Sequence, residues 1–145
     1  MSGTFCTVVN CMDGRVQLPV IRYLTDRFGV AFVDSVTEAG PVRCLADPGA
    51  SDAKASILRR VGVSVDAHGS RTVAVVAHAD CAGNPLCEDD QRRQLAAAVA
   101  EIARAFPAVR VLGLWVNDDW VVSEASGASG GPPITGPGGE ARGPA

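Results

Sequence analysis

The chain lacks the features that would direct it to nucleic acid or to a membrane. Its 145 residues include 13 basic and 16 acidic side chains, for a net charge of −3 at pH 7. No basic stripe is present, which argues against a nucleic-acid-binding protein. No apolar run reaches the length of a membrane span, and the first residues lack the charged and apolar regions of a signal peptide. We therefore expect a cytoplasmic protein with no nucleic-acid or membrane partner.

The cysteines do not fit a disulfide framework. There are five of them, so they cannot all pair within one chain, and in a reducing compartment thiols or metal ligands are more common than disulfides. No Cys-x-x-Cys is present, which makes a redox function the weakest of the classes considered. We expect Cys6 and Cys44 to be small buried apolar side chains, and Cys87, at a helix start, to be structural.

What the sequence does contain is a regular alternation of strand-like and helix-like segments. The length and the 47% hydrophobic content suit a single domain with a substantial core. Alternating strands and helices predict an α/β fold, with a mostly parallel sheet of four to five strands and helices on both faces. Strands are predicted at residues 4–10, 30–36, 72–77, 109–116 and 120–122. Helices are predicted at residues 18–28, 51–61 and 88–106, with loops over 37–49 and 62–70.

Two short motifs place metal-binding side chains just after predicted strands. Cys11 follows the strand at 4–10, and His78 and Cys81 follow the strand at 72–77. Imidazole nitrogen and thiolate sulfur are ligands that zinc prefers, and three protein ligands leave one tetrahedral position open, as in catalytic sites. Sites in open α/β sheets form beyond the carboxyl ends of the strands. We therefore expect Cys11, His78 and Cys81 to share one Zn²⁺.

Asp13 and Arg15 are the candidate catalytic helpers. On an extended segment they face the same way as Cys11, and Arg15 can hold the Asp13 carboxylate by paired hydrogen bonds. Asp13 could accept the proton of a zinc-bound hydroxide, or it could itself be a fourth zinc ligand. The sequence leaves both roles open.

Other polar and aromatic candidates receive plainer interpretations. Asp80, inside the His78–Cys81 motif, is expected to be a solvated loop carboxylate. His68 is expected to be a loop histidine without a partner, and Trp115 and Trp120 are expected to be packing residues.

The pattern Cys11-x-Asp13-x-Arg15 followed by His78-x-x-Cys81 resembles the zinc-binding pattern of the β-class carbonic anhydrases in spacing and in order. A weaker resemblance extends over residues 5–122. Thr37-Glu38-Ala39-Gly40-Pro41 lies where that family has Arg-Asn-Ala-Gly-Asn, and residues 112–115 resemble its Gly-Trp strand. The resemblance implies a zinc-dependent lyase, a carbonate dehydratase, that reversibly hydrates carbon dioxide to bicarbonate by a zinc-bound hydroxide. It also implies a homodimer or a higher homo-oligomer.

This sequence departs from the family in one large feature. Members have N-terminal helices that wrap a partner subunit, whereas only ten residues precede Cys11 here, so we expect that arm to be absent. Two other functions stay open. One is a zinc hydrolase of a CO2-like substrate, carbonyl sulfide or carbon disulfide. The other is a non-catalytic, zinc-stabilised binding module.

The end of the chain differs in composition from the rest. Residues 125–145 hold seven of the 16 glycines and four of the 9 prolines. Such a segment buries too little apolar surface to offset its ordering entropy. The sequence therefore predicts a zinc-binding domain over residues 1–124 and a disordered Gly/Pro-rich tail over residues 125–145.

Overall fold

In the computed structural model, residues 3–130 are described, and they alternate between strands and helices. A single 3₁₀ turn, Gly14–Val16, leads into the first helix. The strands are β1 (Phe5–Cys11), β2 (Phe32–Glu38), β3 (Thr72–His78), β4 (Arg110–Val116) and β5 (Val122–Gly130). The helices are α1 (Gln17–Phe28), α2 (Pro41–Ala46), α3 (Asp52–His68) and α4 (Glu88–Ala105).

The sheet has the order β2-β1-β3-β4-β5. The first four strands are parallel, and β5 runs antiparallel to β4. The chain leaves β1 towards one side of the sheet and leaves β3 towards the other. The point where this direction reverses lies between β1 and β3, which is where open α/β sheets form a crevice at their carboxyl ends.

Helices cover both faces of the sheet, so the predicted α/β class with a mostly parallel sheet is confirmed. All seven residues of β3 are buried, as expected for a strand covered on both sides. On one face, α1 packs Val20 and Leu24 against the sheet. On the other face, α2, α3 and α4 contribute Leu45, Ile57 and Leu95 to a second cluster. The two central strands, β1 and β3, are thus packed against apolar side chains on both faces of the sheet.

The predicted end of the helix at Gly62 is wrong. Ser51 caps α3 as expected, since its hydroxyl accepts from the Lys54 backbone N–H at 3.1 Å. The helix continues through Gly62 to His68, so residues 63–68 are helix rather than loop. Val61 and Ser64, on either side of Gly62, are buried, and their packing outweighs the low helix propensity of glycine.

Three other predicted boundaries shift. The stretch predicted as loop over 37–49 contains the end of β2 and the whole of α2, which begins at Pro41, a residue tolerated in a first helical turn. β5 runs to Gly130 and so crosses the boundary predicted at 125, while residues 131–145 of the predicted tail lie outside the described residues. None of the helices in the described part of the chain has the length and hydropathy needed to cross a membrane.

Candidate metal centre

The topology brings the three predicted metal ligands to one place. Cys11 is the last residue of β1 and His78 is the last residue of β3, and these strands are neighbours in the sheet. Cys81 follows three residues after His78, beyond a turn. The exposed fractions of Cys11, His78 and Cys81 are 4%, 1% and 4%. Three side chains able to bind a metal ion therefore lie together in a buried setting at the carboxyl edge of the sheet.

The distances within this cluster suit one tetrahedral ion. One ligand atom from each residue lies within 4.8 Å of the others, and the two Sγ atoms are 3.8 Å apart. Two Zn–S bonds of about 2.3 Å at the tetrahedral angle put their sulfur atoms about 3.8 Å apart. The cluster could therefore hold a metal ion without a shift of either thiol.

The imidazole of His78 is oriented as a metal ligand would be. Its Nδ1 lies 2.7 Å from the Ala79 carbonyl oxygen, so Nδ1 carries the proton and donates it. The other ring nitrogen, Nε2, is buried and has no hydrogen-bond partner. A buried lone pair without a partner is costly, and a metal ion would satisfy it. A histidine whose second nitrogen is fixed by a carbonyl is the usual arrangement at metal sites.

The two thiols differ in acidity. Burial raises the pKa of Cys11, but the His78 imidazole and the backbone N–H groups of Gly40 and Asp13 outweigh it, and the pKa falls to about 7. Burial, together with the negative charge of Cys11, raises the pKa of Cys81. Burial acts to lower the pKa of His78, whereas Cys11 and the Ala79 carbonyl act in the opposite direction and raise it overall. One thiolate is thus available near neutral pH, and the second would form on metal binding.

Two glycines let the loop that carries Cys81 approach the segment after β2. Gly40 has φ 61°, a left-handed conformation that favours glycine. A Cβ there would lie 2.8 Å from the Gly83 carbonyl, and a Cβ at Gly83 would lie 2.6 Å from the Ala39 carbonyl carbon. Both distances are shorter than side chains tolerate. The Ala39-Gly40 pair of the resemblance is therefore explained by a backbone contact next to the cluster.

Asp13 and Arg15 form the predicted ion pair. Arg15 Nη2 donates to Asp13 Oδ2 at 2.6 Å, and Arg15 Nε donates to Oδ1 at 3.0 Å. Arg15 lowers the pKa of Asp13 to about 2, so this group stays a carboxylate at physiological pH. Among the described residues, the metal-capable cluster comprises Cys11, His78 and Cys81 and does not include Asp13.

The predicted environments of Asp80 and His68 need correction. Asp80 is exposed, with a side-chain exposed fraction of 77%, but it accepts from Arg15 Nη1 at 3.1 Å and is not merely solvated. Trp120 packs against the core cluster on the α1 face, as expected, and its ring also lies 4.6 Å from the Arg15 Cζ. His68 lies at the end of α3, away from the site, and its Nδ1 is 2.5 Å from Asp34 Oδ2, so it has a partner after all.

The remaining candidates are placed as expected or nearly so. Trp115 is buried in the core, and Cys6 is fully buried. Cys44 is half-buried and its thiol contacts the Pro41 carbonyl. Cys87 is exposed at the start of α4, where its thiol contacts Asp90.

Two glutamines that support the cluster were missed by the sequence analysis. Gln17 donates to the carbonyl oxygens of Cys11 and Asp13 at 2.7 and 2.9 Å. Gln91 is buried and donates to the His78 carbonyl at 3.0 Å. A glutamine on the apolar face of a predicted helix was the available signal for Gln91. Gln17 had no comparable signal, because its partners are backbone atoms brought close by the 3₁₀ turn.

Fold and site together define an α/β protein with a Cys–His–Cys cluster able to hold a metal ion at the switch point of its sheet. The profile of the protein family described as "Putative carbonic anhydrase" matches residues 1–126. The chain belongs to this carbonic anhydrase family.

Solved structures of β-carbonic anhydrases share the fold. Isoform I from the protozoan Trichomonas vaginalis is 17% identical, with a TM-score of 0.55, over 83% of this chain and 81% of that one. The β-carbonic anhydrase CcaA is 14% identical, with a TM-score of 0.52, over 90% of this chain and 85% of that one. Comparison with curated proteins gave no match. At these identities the likeness supports the fold, and the site is argued from its own residues.

Proposed function

We propose that this chain is a zinc-dependent lyase that reversibly hydrates carbon dioxide to bicarbonate. Cys11, His78 and Cys81 are the proposed zinc ligands. The observation that carries the proposal is the 3.8 Å separation of the two Sγ atoms beside the buried, unpartnered Nε2 of His78. Membership of a carbonic anhydrase family supports the choice of reaction.

The three proposed protein ligands would leave the fourth tetrahedral position of the zinc ion open for water or substrate. The Cys11 and Cys81 thiolates and the His78 imidazole would supply three ligands to a zinc ion, the number that catalytic rather than structural zinc sites have. Zinc bound there would acidify a water molecule towards neutral pH and so supply a nucleophile for carbon dioxide. The His78 ring is held by the Ala79 carbonyl, and Gln91 fixes the His78 backbone. The geometry of the imidazole is thereby set before any metal binds.

Asp13 is the proposed hydrogen-bond acceptor for the nucleophile. With its pKa near 2, its carboxylate can accept the hydrogen of the nucleophile and so direct a lone pair at the substrate carbon. Arg15 donates to both carboxylate oxygens, which favours this role over direct ligation of zinc. Arg15 therefore positions Asp13. Cytoplasmic location and homo-oligomeric assembly remain expectations from the sequence.

Stopped-flow hydration of carbon dioxide by the zinc-loaded protein tests this proposal. The rate should rise with pH as the nucleophile forms. Asp13→Ala should keep its zinc but lose at least about tenfold in rate, in line with the loss of one positioned acid–base group. Asp26→Ala, which removes an exposed aspartate on α1, is the matched control and should leave the rate unchanged.

Two results would count against the proposal. Absence of hydration above the buffer rate at every pH, with zinc bound, would remove the lyase function. Equal rates in wild type and Asp13→Ala would keep the zinc chemistry but exclude Asp13 from it.

A further inference from the structure

Arg15 is held on three sides, and only one of these sides is Asp13. Its Nη1 donates to Asp80 Oδ2 at 3.1 Å, and its Nη2 donates to the Asp80 carbonyl oxygen at 3.1 Å. The Arg15 Cζ lies over the Trp120 ring, 4.6 Å from the ring centroid, which is within cation–π distance. We call Asp80 and Trp120 the Arg15 clamp.

Backbone strain coincides with this clamp. Within the part of the chain that the structure describes, the non-glycine residues with positive φ are Asp80, at 54°, and Trp120, at 60°. Aspartate tolerates this left-handed region, whereas a bulky side chain such as tryptophan resists it. Such conformations persist only where the surroundings impose them, and they cluster at functional sites. Both of these residues contact the Arg15 side chain, and a turn does not need such a contact to form.

The turn between β4 and β5 holds Trp120 in place. The Asn117 side-chain oxygen accepts from the backbone N–H groups of Asp119 and Val121 at 2.9 and 3.0 Å. The Asn117 carbonyl accepts from the Trp120 N–H at 3.0 Å. These bonds fix the backbone on both sides of Trp120. These hydrogen bonds therefore fix the position of the Trp120 backbone from which the ring reaches Arg15.

We infer that Asp80 and Trp120 are positioning residues that fix the Arg15 guanidinium and, through it, keep the Asp13 carboxylate from moving to the metal cluster. Contacts to three partners, Asp13, Asp80 and Trp120, define the place of Arg15, and Arg15 in turn donates to both carboxylate oxygens of Asp13. The effect on Asp13 rests on the proposed function. The clamp itself involves protein atoms alone and can be tested without metal.

The variants are chosen to suit the left-handed backbone. Asparagine tolerates that region, so Trp120→Asn and Asp80→Asn remove the ring or the charge and keep the turn. Trp120→Phe keeps an aromatic face and serves as the conservative replacement. Val121→Ala changes an exposed neighbour on the same turn and is the matched control.

The first measurement is the exchange rate of the Arg15 Nε–H proton by nuclear magnetic resonance on the metal-free protein. Exchange should be about two- to fivefold faster in Trp120→Asn, the range expected for loss of an exposed cation–π contact. Adding Asp80→Asn should raise this further. Wild type, Trp120→Phe and Val121→Ala should exchange alike. Equal rates in wild type and Trp120→Asn would overturn the inference, whether or not the protein binds zinc.

The second measurement is azide affinity of the zinc-loaded protein by calorimetry, because a carboxylate released to the metal competes with an added anion. Affinity should fall about two- to fivefold in Trp120→Asn, and the fall should vanish when Asp13→Ala is added. A merely structural effect of Trp120 would persist without Asp13, and that result would overturn the inference. Failure of the protein to bind zinc would refute the proposed function, while the exchange measurement would still decide on the clamp.

Discussion

The two cysteines of the cluster have different acidities, and this has a measurable consequence for metal binding. Cys11 has a pKa of about 7, whereas the pKa of Cys81 is raised above its ordinary value. Both must be thiolates to bind zinc, so binding releases whatever protons they still carry. The number of protons released should therefore fall as pH rises through the pKa of Cys11.

Zinc titrations of the metal-free protein in buffers of different ionisation enthalpy measure this number, with saturating azide present so that no ionisable water occupies the fourth position of the metal. At pH 6 both thiols are protonated and binding should release at least about two protons, whereas at pH 8 it should release about one. His78 changes the proton count in the same direction. Its pKa is raised, so at low pH its ring carries a proton that zinc displaces, and this contribution becomes smaller as the pH rises. Cys87→Ser, which changes an exposed thiol outside the cluster, should match wild type. The same proton count at both pH values would contradict this account of the two thiols.

Among the elements, the loop after β3 and the segment after β2 depend on each other through Gly40 and Gly83. Gly40→Ala would place a Cβ 2.8 Å from the Gly83 backbone while holding a left-handed φ. We expect the free energy of unfolding to fall by more than about 2 kcal/mol, and zinc affinity to fall with it, because the loop carries Cys81.

Gly62→Ala provides the matched control. A Cβ there would make an ordinary contact of 3.7 Å with Phe106 inside α3, so the change should stabilise the protein by about 0.5–1 kcal/mol. Chemical denaturation of both variants checks the pair. A Gly40→Ala protein as stable as wild type would show that the two backbones can separate at little cost.

The same glycines explain why helix boundaries were harder to predict than strands. β1, β3 and β4 are largely apolar runs, a pattern that indicates burial on both faces of the sheet. Gly62 reads locally as a helix end, but Val61 and Ser64 on either side of it are buried, and their packing carries the helix onward. For α2, the decisive features are the left-handed Gly40 before it and the contact with Gly83, and neither is visible in a local window of sequence.

At the scale of the whole molecule, the carboxyl end of the described chain belongs to the sheet. β5 pairs with β4 as far as Gly130 opposite Val111 and Ser129 opposite Leu112. A chain ending after Gly130 should keep the melting temperature of the full chain, because residues 131–145 are rich in glycine and proline and can bury little. A chain ending after Ala125 should melt roughly 5 °C lower, since the edge of β4 loses backbone partners. Equal melting temperatures for all three chains would show that the last residues of β5 add no stability.

The position of the site could be predicted from the sequence, but the residues that support its ligands and Arg15 could not. Cys11 and His78 end two apolar strands, so the rule that sites form at the carboxyl edge of a parallel sheet sufficed to bring them together. Trp120, Gln17 and Gln91 act through contacts between segments far apart in the chain or through backbone carbonyls. Such contacts depend on the register of β4 and the exact path of turns, which residue patterns do not specify.

The central claim is that Cys11, His78 and Cys81 together hold one zinc ion. Metal content of the purified protein, measured by inductively coupled plasma mass spectrometry after dialysis against zinc, tests it most directly. Wild type and the control Cys87→Ser should carry about one zinc per chain, and Cys11→Ser and Cys81→Ser should lose it, because a neutral hydroxyl is a poor replacement for a thiolate. Full zinc retention in both Cys11→Ser and Cys81→Ser would contradict the shared site.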